Sequence, residues 1–158
     1  MNKDHMYVIG TIMAVAIVMW YINRNNMSTE AIAGLTDKWI EAVTVKNDPI
    51  EIHNLFCSDG NLVGTVSQKK RMGEDIKKYF NYFAKLPGIH VVDKKYNISK
   101  VTNNVYLNTA FITWKWNDLG EPITARMTFV YRDNCIFQLH SSALPDLNED
   151  LLTVSNMA

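Results

Sequence analysis

An excess of charge of either sign is what this sequence lacks first. Sixteen basic side chains stand against sixteen acidic ones over 158 residues, a formal net charge of zero. That argues against a nucleic-acid partner, because such domains carry a basic surplus for phosphate. The runs Lys69-Lys70-Arg71 and Lys94-Lys95 read as a solvated loop and a solvated strand face. Histidine is scarce as well: His5, His53, His90 and His140 are the four. None forms a close pair, so a zinc site would need distant residues to converge in space. No metal and no cofactor is expected. The two cysteines, Cys57 and Cys135, fit no metal-type spacing. Buried free thiols are the default, and a single disulfide requires an oxidising compartment. Internal repeats and low-complexity tracts are missing.

Apolar residues are present in quantity. They make up 47% of the chain, enough for a core, and the length suits one domain with a short appendage. The appendage is residues 1–26. Its stretch 6–22, MYVIGTIMAVAIVMWYI, carries no charge, and Trp20 and Tyr21 sit at its end as interface aromatics do. It reads as an uncleaved membrane anchor. A cleaved signal segment, leaving a secreted or lumenal protein, is the competing reading, with no small-x-small cleavage site to support it. Residues 27–147 form the domain and 148–158 a tail.

Within the domain, Ile32, Leu35, Trp39, Ala42 and Val43 recur at helical spacing, so residues 29–46 form an amphipathic helix capped by Ser28 or Thr29. Asp48-Pro49 starts a second, short helix that ends at Ser58-Asp59-Gly60. Residues 61–66 read as a short strand and 68–71 as a polar loop. Ile76, Tyr79, Phe80 and Phe83 mark the apolar face of a helix over 73–85. The period then changes. Residues 89–98, 104–116, 123–132 and 135–142 are rich in β-branched and aromatic residues, and Asp133-Asn134 is a hairpin turn signal. Helices first and a four-stranded antiparallel meander afterwards predict an α+β domain with a curved sheet wrapped around the helices.

The last strand ends in His140-Ser141-Ser142. Alternation puts His140 and Ser142 on one face and Ser141 on the other. An imidazole and a hydroxyl on one wall, after Ile136, Phe137 and Leu139, suit a small oxyanion or a water. Hydroxyls that cap backbone groups at a strand end are the plainer alternative.

The order of elements resembles the cone-shaped nuclear-transport-factor-2-like fold. Leu62-Val63-Gly64-Thr65-Val66-Ser67, Arg71 and Ile76-Lys77-Lys78-Tyr79-Phe80 resemble the first half of a pattern of the iota-class carbonic anhydrases. Ala125-Arg126-Met127-Thr128-Phe129-Val130-Tyr131 and His140-Ser141-Ser142-Ala143-Leu144-Pro145 resemble its second half. That class sits in the group of the calcium/calmodulin-dependent protein kinase association domains. The chain departs from the pattern at Leu139 and Met127, where histidine and tyrosine are usual, and at Gln68, where asparagine is. The resemblance implies metal-free hydration of carbon dioxide to bicarbonate, with Thr65, Tyr79, His140, Ser141 and Ser142 around the substrate. His140 would move the proton, and Thr65, Tyr79 and Ser142 would orient water and donate to oxygen. Phe80, Phe83, Phe111 and Trp114 would supply a dry wall and Arg126 would attract the anion; Tyr82 is the fallback for Tyr79. It also implies a homodimer. The alternative is a non-catalytic ligand-binding or oligomerisation module. A third reading, an isomerase or dehydratase, would rest on an Asp/His pair, for which Asp93 is the available carboxylate.

Overall fold

The computed structural model describes residue 13 and residues 27–65 and 69–143. Apart from Met13, the expected anchor at 6–22 lies outside the described residues, as does the tail. Among the described residues no helix is long and apolar enough to cross a membrane.

Helix α1, Thr29–Glu41, is followed without a break by a wider π-helical turn, Ala42–Lys46. Ser28, not Thr29, is the cap: its hydroxyl accepts from the Ala31 N–H at 3.2 Å. Asn47, in the left-handed region with φ 50°, ends the turn and donates from Nδ2 to the Val43 and Ala84 carbonyls at 2.9 and 2.8 Å. Asp48 caps α2, Pro49–Asn54, accepting from the Ile50 N–H, with Pro49 in the first turn. Helix α3 spans Glu74–Phe83.

The strands are β1 (Phe56–Val63), β2 (Lys70–Met72), β3 (His90–Lys100), β4 (Val105–Lys115), β5 (Ile123–Arg132) and β6 (Cys135–Ala143). They form one sheet in the order β2-β1-β6-β5-β4-β3. The meander β3 to β6 is antiparallel as expected, and both residues of the Asp133-Asn134 turn have positive φ, 50° and 70°. The sheet is larger than a four-stranded meander, however. Strand β1 joins β6 in parallel, and β2 pairs with β1 where a polar loop was expected. Ser58-Asp59-Gly60 does not end the short helix but lies inside β1. At Gly60 a Cβ would come within 2.7 Å of the Ile136 carbonyl oxygen, so the close approach of β1 to β6 requires glycine there.

That approach also corrects the expectation of free thiols. The first pairing of β1 with β6, Phe56 opposite Ile136, brings the neighbouring Cys57 and Cys135 to a Cα separation of 5.1 Å, and they form a disulfide. Arg132 and Asp59 pair across the same end at 2.5 Å.

Trp39 of α1 is the centre of the core. It is wholly buried and meets Phe129, Phe80 and Trp114 edge to face at ring separations of 5.3, 5.9 and 6.0 Å. Below it, Thr36 ties the helix to the sheet. Its buried hydroxyl receives Asn108 Nδ2 and the Tyr131 hydroxyl, each at 2.8 Å, and donates to the Ile32 carbonyl. Inward residues alternate along β4 (Tyr106, Asn108, Ala110, Ile112, Trp114) and β5 (Ala125, Met127, Phe129, Tyr131). A register shift between Val130 and Tyr131 changes the parity of β6 midway, so its inward residues are Ile136, then Leu139 and Ser141.

Candidate functional site

At the β2 end of the sheet, the space between α1, α3 and the inward sheet face is not quite filled. A cavity of about 20 Å³ remains, room for roughly one water. Trp39, Phe80, Phe83, Trp114 and Leu62 give it apolar walls, and Thr65, Ser141 and Tyr79 give it hydroxyls. Phe83 packs edge to face on Trp114 at 5.4 Å, and Tyr79 stacks on Phe83 at 6.1 Å, which fixes the aromatic side. On the other side Thr65 Oγ1 lies 2.6 Å from Ser141 Oγ. Ser141 is buried, whereas Thr65 is exposed, so this hydroxyl pair runs from the cavity wall toward solvent.

Tyr79 closes the cavity on its α3 side. Its ring lies so close to Gly64 that a Cβ there would be 2.8 to 2.9 Å from ring carbons and the hydroxyl oxygen. Arg71 sits over the ring, its guanidinium carbon 5.0 Å from the ring centroid. Burial pushes the phenol above its ordinary pKa, against the opposing pull of the Arg71 charge and a backbone hydrogen bond at Thr65. The phenol therefore stays protonated and can donate. The buried Trp39 Nε1–H has no hydrogen-bond partner among the described residues.

The structure brings three of the five expected site residues together, Thr65, Tyr79 and Ser141. It does not bring the other two. His140 is exposed on the outer face of the sheet, opposite Thr128, and Ser142 lies half-buried on that face opposite Arg126. The alternation was right and the inward face was the other one. Leu139, wholly buried, fixes the choice, and Ser141 shares its parity. Phe111 also faces outward, under the Arg126 guanidinium at 5.7 Å, and so supplies no cavity wall. Tyr82 is 74% exposed and cannot replace Tyr79. Asp93 is exposed on edge strand β3, so nothing joins it to His140. Sequence reasoning missed Trp39 as a wall of the cavity and Gly64 as the seat of Tyr79. It also missed that Leu139 and Met127, the two departures from the family pattern in β5 and β6, both line the cavity. Among the described residues no group of three His, Cys, Asp or Glu side chains could hold a metal ion.

No protein-family model matches the sequence, and no curated protein matches it. Solved structures do. A protein from Xanthomonas campestris, named for the calcium/calmodulin-dependent protein kinase II association domain, superposes with a TM-score of 0.64 at 26% identity, over 77% of this chain and 91% of its own. A nuclear-transport-factor-2-like protein of unknown function from Pseudomonas putida gives 0.64 at 17% identity, over 78% and 99%. A domain of unknown function with a cystatin-like fold from Nostoc punctiforme gives 0.66 at 13% identity, over 82% and 86%. Helices packed on a curved, unclosed six-stranded sheet, with these neighbours, give the chain the α+β nuclear-transport-factor-2-like fold.

Proposed function

We propose that this domain is a binding cone for a small oxygen-bearing molecule, of about the size of one water. The observation that carries the reading is the Thr65–Ser141 hydroxyl pair at 2.6 Å in the wall of an otherwise aromatic cavity of about 20 Å³. One hydroxyl proton of the pair is spent between the two oxygens. The other, with the Tyr79 hydroxyl, leaves neutral donors in a largely apolar site. Such a set suits an acceptor atom with little charge, because no cation is present inside to offset the desolvation of an anion.

Hydration of carbon dioxide is the finer form of this reading. The cavity has room for the water alone, so carbon dioxide meets it at the exposed Thr65 end: the water held by the hydroxyl pair attacks the carbon, the carbon–oxygen π pair moves onto the solvent-side oxygen, and the proton leaves along Ser141 and Thr65 to bulk. One water and one carbon dioxide thus give bicarbonate and one proton. The exposure of Thr65 supports this exit. Among the described residues the cavity lining contains no imidazole and no carboxylate, so solvent or buffer is the terminal base. The disulfide supports an oxidising compartment, which fits an anchored or a secreted domain. Pairing of two copies through the outer sheet face is the expected assembly.

The test is carbon dioxide hydration by the full chain, with and without chelator, beside Ser141→Ala and His140→Ala. Loss in Ser141→Ala alone, with chelator without effect, is the expected result for the finer reading. Loss in His140→Ala alone would overturn the cavity as the site. A folded chain without turnover, but with a ligand-induced change at Trp39 that Ser141→Ala abolishes, leaves the binding cone.

A further inference from the structure

We propose that the outer side of Tyr79 is a separate docking site for a small planar oxyanion of the carboxylate or bicarbonate kind. Lys69, Arg71, Asp75, Lys78, Tyr79 and Tyr82 line an open pocket of about 370 Å³ there. Three cations face one carboxylate. Asp75 is shared, 3.2 Å from Lys78 and 3.6 Å from Lys69, which leaves the positive surplus at Arg71. Arg71 pairs with no carboxylate among the described residues. Of its five N–H donors, one is spent on the Lys69 carbonyl at 3.0 Å, and its guanidinium carbon lies 5.0 Å from the Tyr79 ring centroid. The ring contact and the backbone bond hold the guanidinium in place while leaving further N–H donors for a ligand. A planar oxyanion matches the guanidinium fork with two parallel hydrogen bonds. Tyr82, largely exposed, stands beside it as an aromatic wall.

Size separates this pocket from the inner cavity. A space of about 20 Å³ with neutral donors takes a neutral molecule no larger than about one water, whereas the outer pocket takes an anion of several heavy atoms. The inference does not rest on turnover or on the inner cavity being occupied.

The experiment is a titration of the full chain with sodium bicarbonate, and separately with sodium acetate, at constant ionic strength. The readout is the Arg71 Nε–H and the Tyr79 and Tyr82 ring signals in NMR spectra. The expected result is saturation in the millimolar range, as a single exposed guanidinium site gives. Arg71→Gln weakens it about tenfold, the size of a lost charge-assisted hydrogen bond. Arg71→Lys, which keeps the charge but not the fork, falls between. Lys78→Gln, at a largely exposed position, weakens it less and guards against misfolding of the Arg71 variants. Equal saturation in Arg71→Gln, or signals that drift linearly over all surface lysines, would overturn the site. Saturation at Arg71 in a chain that hydrates no carbon dioxide would leave this site standing and remove only the catalytic reading.

Discussion

The position of Tyr79 makes the site testable through a residue with no side chain. Gly64 does not need its glycine for backbone reasons: it is not among the described positive-φ positions. At such a position Gly→Ala normally stabilises by about 0.4–1 kcal/mol, because the unfolded chain loses freedom. Here the added methyl would stand 2.8 Å from Tyr79 Cε2, 2.9 Å from Cζ and 2.9 Å from the hydroxyl oxygen. Those separations are about 1 Å inside ordinary carbon contact. The ring must swing away, and overpacking of this kind costs about 1–3 kcal/mol. The expected net effect of Gly64→Ala is therefore a loss of about 1–2 kcal/mol, read from urea midpoints. In a Tyr79→Leu background the three offending atoms are gone, and the same change should turn neutral or stabilising by up to about 1 kcal/mol. The coupling between the sites is then about 2 kcal/mol, well above the roughly 0.5 kcal/mol by which independent sites deviate from additivity. An equal cost for Gly64→Ala in both backgrounds would refute the placement of Tyr79 against Gly64, and with it the closed cavity.

Four further outcomes follow from the same geometry. Ser141→Ala removes the partner of Thr65, which is exposed and can re-pair with water, so the loss of stability should stay near 1 kcal/mol in a denaturant series. Cys57→Ser with Cys135→Ser opens a crosslink that spans 78 residues; chain entropy alone puts the loss at about 4–5 kcal/mol, measured by unfolding with and without reductant. Burial works to raise the pKa of Asp37, but hydrogen bonds from Lys94 and Tyr96 and the Lys94 charge carry it below the ordinary value. The stability it contributes is therefore present above the unfolded carboxylate pKa and is lost as pH falls through the lower folded one; Asp37→Asn should flatten that acid limb. His140→Ala should leave the Trp39 and Tyr79 signals of the cavity unmoved, whereas a histidine in the cavity wall would shift both.

Much of the fold was legible because its signals are local. Ser28, Asp48-Pro49 and the apolar stripe through Trp39 mark their helices, and Asp133-Asn134 supplies the two left-handed residues a tight hairpin needs. The position of β1 was not legible, because its parallel pairing with β6 joins residues distant in sequence and Gly60 looks like a helix stop when its partner is unseen. The site divided along the same line. Tyr79 follows from the helical period, and Thr65 and Ser141 from the motifs. The inward face of β6 depends on the register shift between Val130 and Tyr131, which lets both Ile136 and Leu139 face the core although they differ in parity. Alternation alone separates His140 from Ser141 but cannot say which of them enters the cone.

That parity gives Leu139 and Met127 a meaning they lack in the sequence. Both are inward, both line the cavity, and Met127 lies opposite Ser141 across the β5–β6 pair. A histidine and a tyrosine at these places would stand where an imidazole and a phenol could reach a bound water; the leucine and methionine present make the same walls apolar. The polar chemistry of the described walls is thereby reduced to Thr65, Ser141 and Tyr79, all neutral. A ligand held there is oriented by donors and gains no help from a base within the walls. If the domain turns over carbon dioxide, its rate should therefore rise with buffer concentration, since the proton must be taken up beyond Thr65. Leu139→His should then raise that rate and weaken its dependence on buffer. A rate insensitive to buffer in the unaltered chain would mean that a base inside the cone takes the proton, which the described walls do not contain.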